Sequence, residues 1–276
     1  MPPVLRLRPS DPRTSPLTGP VSFLTRAFGT PASQVCNSQL RPPYDADMAS
    51  SAQSEKPDGR RPSTAVRRRA REKAILAATR SLFDQRGVAE AQIEDIARAV
   101  GINRAIVYRH FTGKEELFAL ALVGYLDELG AALTEAADAH EKPRDQLAAI
   151  VSAFVDYGVA HPAFVDCAHS LMRRTGSELF DEISEGAMLR LGRAIASCLS
   201  VLRRPLEAGV ASGDFRVDDP VLLANTLYAT GLGGLQLARV GLVIDEAAPG
   251  VPQVGTIGAE QVKALLLTSA LAMAQG

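Results

Sequence analysis

The stretch from Gln92 to Phe111, QIEDIARAVGINRAIVYRHF, constrains the fold of this chain more than any other. Ile93, Ile96, Ala97 and Val100 recur at three- and four-residue spacing, the stripe of an amphipathic helix whose apolar side must face a core. Gly101 follows the last of them, and glycine supplies the left-handed conformation that closes a helix and opens a short turn. Asn103 then has the side-chain oxygen to cap a second helix, expected from Arg104 to Phe111, with Val107 on its inner face and Phe111 closing the turn behind it. Arg104, Ala105, Ile106, Tyr108, Arg109 and His110 are left largely outward. Donors, a phenol and small apolar groups in that order suit base-pair edges in a major groove.

Periodicity alone also fits an amphipathic hairpin inside any helical protein, and the flanks decide against that reading. Upstream, Ile75, Ala78, Leu82 and Phe83 form the apolar face of a longer helix expected from about Arg69 to Gln85 and ended by Arg86-Gly87. Downstream, Thr112 is a candidate cap for a further helix, with Glu115 and Glu116 favourably placed in its first turn. Three helices with a fourth entering behind them make a compact binding head.

From about Ala70 to Asp127 the chain resembles the DNA-binding domain of the tetracycline-repressor (TetR/AcrR) family of bacterial regulators. The residues that carry the resemblance are Ile75-Leu76-Ala77-Ala78 and Leu82-Phe83, Gly87, Ile93 with Asp95-Ile96-Ala97, Gly101-Ile102, and Tyr108 with His110-Phe111 followed by Lys114-Glu115-Glu116-Leu117. Two places depart from the family pattern: Ala91-Gln92 stands where Thr-Thr is usual, and Asn103-Arg104-Ala105 where Ser-x-Gly is usual. The resemblance implies an all-α fold, with a three-helix helix-turn-helix head over residues 67–127 and a helical effector-binding and dimerisation body over 128–276. It implies a homodimer on a near-palindromic operator in double-stranded DNA. Tyr108, His110 and Lys114 would approach phosphates, Arg104, Ala105 and Ile106 would meet base edges, Asn103 would cap the recognition helix, and Gln92 would partly replace the missing threonine as cap and phosphate contact. Arg104 carries most of the expected specificity, because a guanidinium can grip guanine O6 and N7 at two points.

Charge is divided along the chain in the same sense. The total is −1, but residues 60–114 hold 13 Lys and Arg against 5 Asp and Glu, whereas residues 115–276 hold 11 against 21. A basic head matches a polyanion, and an acidic body should stand away from it. Arg67, Arg68, Arg69, Arg71 and Lys73 are expected just before the first helix, either as an arm along the DNA backbone or as a solvated tail.

Residues 1–66 are rich in Pro, Ser, Thr and Arg and hold no sustained period, so they are expected to be a disordered extension, with Met48 an alternative start. The rest reads as helix throughout: Lys114 to about Ala137, Pro143 to Ala160, a segment after Pro162, a run from Glu178 to Ser212 that Pro205 should kink or divide, Asp219-Pro220 to Arg239, and Glu260 to Ala274. Gly241 to Gly258 is expected to be a Gly- and Pro-punctuated loop, and no strand is expected anywhere. Gly231, Gly233 and Gly234 inside a good helix call for close backbone approach by a neighbour. With Leu265, Leu266, Leu267 and Leu271 opposite, the resemblance places them at a dimer interface.

The resemblance further implies a small apolar or amphipathic effector inside the body. Phe154, Tyr157, His161, Phe164, His169, Met172, Phe180 and Met188 are its candidate contacts, as aromatic, polarizable or polar groups among plain aliphatics. Enzyme chemistry is not expected. Cys36, Cys167 and Cys198 are too far apart for a local metal cluster and fit a reduced cytoplasm, the histidines form no ligand pattern, and no phosphate loop follows a strand. No cofactor, metal or membrane span is expected. Two functions remain: a dimeric cytoplasmic repressor released by its effector, or a DNA-bound architectural or division-control protein whose body binds a protein partner.

Overall fold

The computed structural model describes residues 63–276, so the expected disordered extension and the alternative start at Met48 lie outside the described residues, save for the last few positions before residue 67. Those positions are helical. The first helix, α1, runs Thr64–Arg86, because the Ser63 hydroxyl accepts from the Val66 N–H and caps it there. Arg67, Arg68, Arg69, Arg71 and Lys73 therefore lie exposed around the first turns of α1, within the helix rather than on an extended arm or tail. Helix α2 spans Ile93–Val100 and ends at Gly101 with φ +70°, the left-handed closure that the sequence calls for. Helix α3, Arg104–Tyr108, is shorter than expected: Arg109 and His110 leave the helix in a turn. Ile75, Phe83, Ile93, Ile96, Val107 and Phe111 close the core of the head, and Phe118 packs edge-on to Phe83 with ring centroids 5.1 Å apart.

Helix α4, Lys114–Asp138, carries that core into the body and passes through the expected boundary at residue 127 without a break. Around it stand α5 (Pro143–Ala160), α6 (Pro162–Met172), α7 (Gly176–Glu182) and α8 (Glu185–Ser212), then α9 (Pro220–Val240) and α10 (Ala259–Gln275). Among the described residues α4 is the single helix long and apolar enough to cross a membrane, but most of it is buried between α5 and α8. The run expected from Glu178 to Ser212 is divided at Ile183-Ser184, where the Ser184 hydroxyl caps α8. It is not divided at Pro205, which sits buried inside a continuous α8, where packing outweighs the lost backbone hydrogen bond.

Residues 241–258 are not a plain loop. Strands β1 (Leu242–Ala248) and β2 (Val251–Thr256) pair antiparallel, Ile244 opposite Val254, around a turn at Gly250. Leu242, Val243, Ile244, Val251 and Val254 supply the β-branched and aliphatic residues a hairpin wants, and the neighbouring Gly and Pro conceal that pattern in the sequence. Ile244, Val254, Leu242 and Val251 are exposed. The architecture remains all-α with one hairpin between its last two helices.

Two of the three glycines of α9 are accounted for within one chain. A Cβ on Gly231 would lie 2.7 Å from the Phe154 ring, and one on Gly234 would lie 2.7 Å from Leu266 of α10, so both let neighbouring helices approach. Gly233 alone of the three faces open space. Leu266 is buried and Leu267 and Leu271 are half-buried, which leaves Leu265 as the outward member of the leucine run.

Candidate nucleic-acid interface and effector cavity

Asn103 caps α3 as its type predicts, its Oδ1 accepting from the Ala105 N–H at 2.6 Å. That fixes the entry of α3 and turns Arg104, Ala105 and Tyr108 outward, with Ile106 half-buried beside them. Arg104 is held in place from two sides. Its Nη1 donates to Glu94 Oε1 at 2.6 Å, and its guanidinium lies 5.3 Å from the Tyr108 ring centroid. Gln92 is exposed at the N-terminus of α2 but makes no capping bond, so it does not replace the cap that a threonine would supply.

The first turns of α1 and the end of α3 enclose a shallow groove lined by Arg67, Arg68, Arg71, Arg109, His110 and Ile106. Four guanidiniums converge there from segments forty residues apart, and Arg109 joins them because α3 ends early. The sequence places Arg109 on the outward face of the recognition helix and the arginine run on an arm or a tail, but not the two together in one groove. An earlier start of α1, set by Ser63, was the clue that would have placed them. His110 titrates below its ordinary value, first because of partial burial and then because of Arg68, with Arg109 and Arg71 adding to it. Lys114 does not point freely outward: its ammonium lies 5.2 Å from the Phe118 ring centroid, toward the seam between head and body.

That seam is pinned by a buried carboxylate. Thr112 does not cap α4. Its N–H and hydroxyl both donate to Glu116 Oε2, and the Ser184 hydroxyl donates to the other oxygen, so the buried Glu116 joins the end of the head to the start of α8. Arg174 bridges Glu182 and Glu115 beside it, and Arg190 of α8 reaches Glu72 of α1 at 2.6 Å. On the opposite side, Arg80 of α1 makes two 2.7 Å bonds to the Glu128 carboxylate of α4. The Tyr125 hydroxyl donates to Asp84 at 2.6 Å, and the Tyr157 hydroxyl donates to the Tyr125 carbonyl at 3.0 Å. The Arg80 bonds hold the Glu128 carboxyl below its usual range, whereas burial first of all raises the phenols of Tyr125 and Tyr157.

The body holds an apolar cavity of about 40 Å³, walled by Phe154, Leu202, Tyr228, Gly231, Leu266 and Met273 among others. Of the eight residues expected to meet an effector, Phe154 alone lines it. Tyr157, His161 and Phe164 stand behind Phe154 in a cluster of rings, with Phe164 fully buried. His169 lies in a separate groove on the seam, and Met188 packs half-buried against the core. Met172 and Phe180 are exposed, Phe180 to 71%. The expected set thus does not form one site: side-chain type alone could not tell which residues of α5 to α8 face inward. Tyr228, Leu202 and Met273 were missed because their spacing is that of ordinary core.

Residues 75–121 match the family model described as bacterial regulatory proteins, tetR family. The chain is 29% identical over 150 residues to the HTH-type transcriptional repressor KstR2 of Rhodococcus jostii, a match covering 54% of this chain and 70% of that protein. Its fold is similar to that of RolR in complex with resorcinol, at a TM-score of 0.55 and 17% identity, covering 76% of this chain and 90% of that one. It is similar also to FadR of Bacillus subtilis in complex with stearoyl-CoA, at a TM-score of 0.52 and 14% identity over 74% and 98% of the two chains. Residues 75–121 thus carry the helix-turn-helix domain of the tetR family and the helical body is similar in fold to the solved regulators, so the chain is a DNA-binding transcriptional regulator with a tetR-type head.

Proposed function

We propose that this regulator is a cytoplasmic homodimeric repressor, held on a near-palindromic operator and released from it by a small apolar or amphipathic effector. The observation that carries the reading is the placing of Phe154. Its ring forms a wall of the apolar cavity, and one turn further along α5 Tyr157 bonds to α4, which Arg80 and Asp84 tie to α1. Movement of α5 around an occupant is therefore transmitted to the head through hydrogen bonds rather than through loose packing. A cavity of 40 Å³ is far below the ~300–1,000 Å³ of pockets that take drug-sized ligands. An effector must then bind an opened form more tightly than the closed one, and that difference in affinity is what shifts the head. The resorcinol and stearoyl-CoA complexes of RolR and FadR support a ligand in this body, and the repressor name of KstR2 supports the sign.

Dimerisation would use the outward side of α9 and α10, where Val221, Leu222, Val240, Leu265 and Met273 are exposed, together with the apolar face of the hairpin between them. Two recognition helices would then stand one DNA turn apart, ~34 Å. The test is twofold. Light scattering should give twice the chain mass, and an effector found by thermal-shift screening should lower operator affinity in the wild type but less in Ser269→Leu, which adds bulk at the half-buried rim of the cavity and so fills it. A monomer, or an effector that works equally on the filled variant, contradicts the proposal.

A further inference from the structure

Away from the buried cavity, a groove of about 490 Å³ runs along the seam between head and body. Lys114 of α4, Arg173 just after α6 and Arg239 of α9 line it, together with His169 and Ser170. Its lining carboxylate is Asp166, which Arg239 already engages as an ion pair. Three cations from three separate segments thus line one groove with a single carboxylate, which leaves its lining net positive and attractive to an anion. The floor is apolar: Val88 and Phe118 are buried there, and Lys114 lies against the Phe118 ring. Such a wall lowers the local dielectric and strengthens attraction for an oxyanion. At Arg239 the groove adjoins a second hollow of about 150 Å³, lined by Gly158, Pro162, Val165 and Leu235 and free of charge apart from Arg239.

We propose that this groove binds a small amphipathic anion, a phosphate or carboxylate bearing a short apolar tail. The oxyanion sits among Lys114, Arg173 and Arg239, and the tail lies in the hollow between α5, α6 and α9. Lys114 is the first residue of α4 and follows closely on the recognition helix, so an occupant ties the head to the end of α6 and to α9 and holds Lys114 at the seam. The site is separate from the buried cavity and does not require that an effector enter the cavity.

Isothermal titration of the full chain with hexyl phosphate at constant ionic strength tests this, with inorganic phosphate and hexanol as the head-only and tail-only probes. Hexyl phosphate is expected to bind more tightly than either. Arg173→Ala and Arg239→Ala should each weaken it about tenfold, the loss of one charge-assisted hydrogen bond. Asp166→Asn, which frees Arg239, should tighten it, and Ser269→Leu, which adds bulk at the half-buried rim of the apolar cavity, should leave it unchanged. Equal affinity in the arginine variants, or hexanol binding as well as hexyl phosphate, overturns the proposal. Loss of binding in a folded Ser269→Leu alone would assign the probe to the apolar cavity and overturn it too.

Discussion

Arg104 and Glu94 face each other across the helix-turn-helix, the Arg104 Nη1 donating to Glu94 Oε1 at 2.6 Å, so the residue with most to offer a guanine is held by a carboxylate when DNA is absent. Both side chains are about half exposed or more, and solvent screens such a pair, so it is weaker than a bidentate base contact. A base contact by Arg104 would therefore displace Glu94. Arg104→Ala should cost roughly 1–3 kcal/mol, and the cost should disappear when one particular base pair of the operator is changed. A loss uniform over all sequences would make Arg104 a phosphate contact. Glu94→Gln should strengthen binding at low salt without altering preference.

The groove formed by Arg67, Arg68, Arg71 and Arg109 predicts a salt effect. Each arginine that neutralises a phosphate steepens the dependence of log affinity on log salt by about 0.9. Arg68→Ala and Arg109→Ala should each flatten that slope by about one while leaving the preferred sequence alone. An unchanged slope would place the groove off the DNA.

His110 gives the head a pH dependence. In the free protein its charged form is disfavoured by partial burial and by Arg68. A nearby phosphate favours the charged form, so the complex holds the proton more tightly than the free head does. Affinity should rise as pH falls through the ordinary histidine range, beginning near the pKa of the complex and levelling off below the lowered pKa of the free head. In His110→Gln the rise should vanish. The same shift works against folding: the unfolded state takes up this proton at higher pH, so His110 lowers stability as pH falls through its unfolded value.

Glu116 and Ser184 predict a stability change at the seam. Ser184→Ala removes one donor from a carboxylate that is 4% exposed and should cost about 1–3 kcal/mol in urea unfolding, whereas removal of an exposed hydroxyl costs little. If Ser184 also sets the angle of the head, operator affinity will change in conditions where the variant is fully folded.

Phe154→Ala should cost about 3–5 kcal/mol, because the ring is buried against Phe164 and Tyr228 and its loss enlarges the cavity. Gly231→Ala places a methyl against the same ring and should cost about 1–3 kcal/mol by overpacking. Thermal unfolding of the two variants and of the double variant checks this: each change relieves the other, so the double should be more stable than the sum of the singles predicts.

The head was legible in the sequence because its elements are locally determined: Gly101 closes one helix, Asn103 caps the next, and Ile93, Ile96 and Val107 can face only one core. Its errors were also local. Ser63 started α1 early and brought the arginines onto a helix, and α3 ended before Arg109. The body was legible as helices but not as a site. Phe154 and Met172 look equally suited to a ligand, yet one lines the cavity and the other faces solvent, a difference set by helix rotation that spacing does not encode. The hairpin escaped because its pairing is settled by the partner strand and by Gly250, not by either strand's own period.

Selection of bound duplexes from a random pool, followed by affinity measurement on the selected sequence across a salt series, tests the central claim most directly. The account predicts enrichment of a near-palindrome whose half-sites lie about one turn, ~10–10.5 base pairs, apart, an affinity that falls steeply with salt, and loss of enrichment in Arg104→Ala. Failure to enrich any duplex, or binding insensitive to both salt and Arg104, would contradict it.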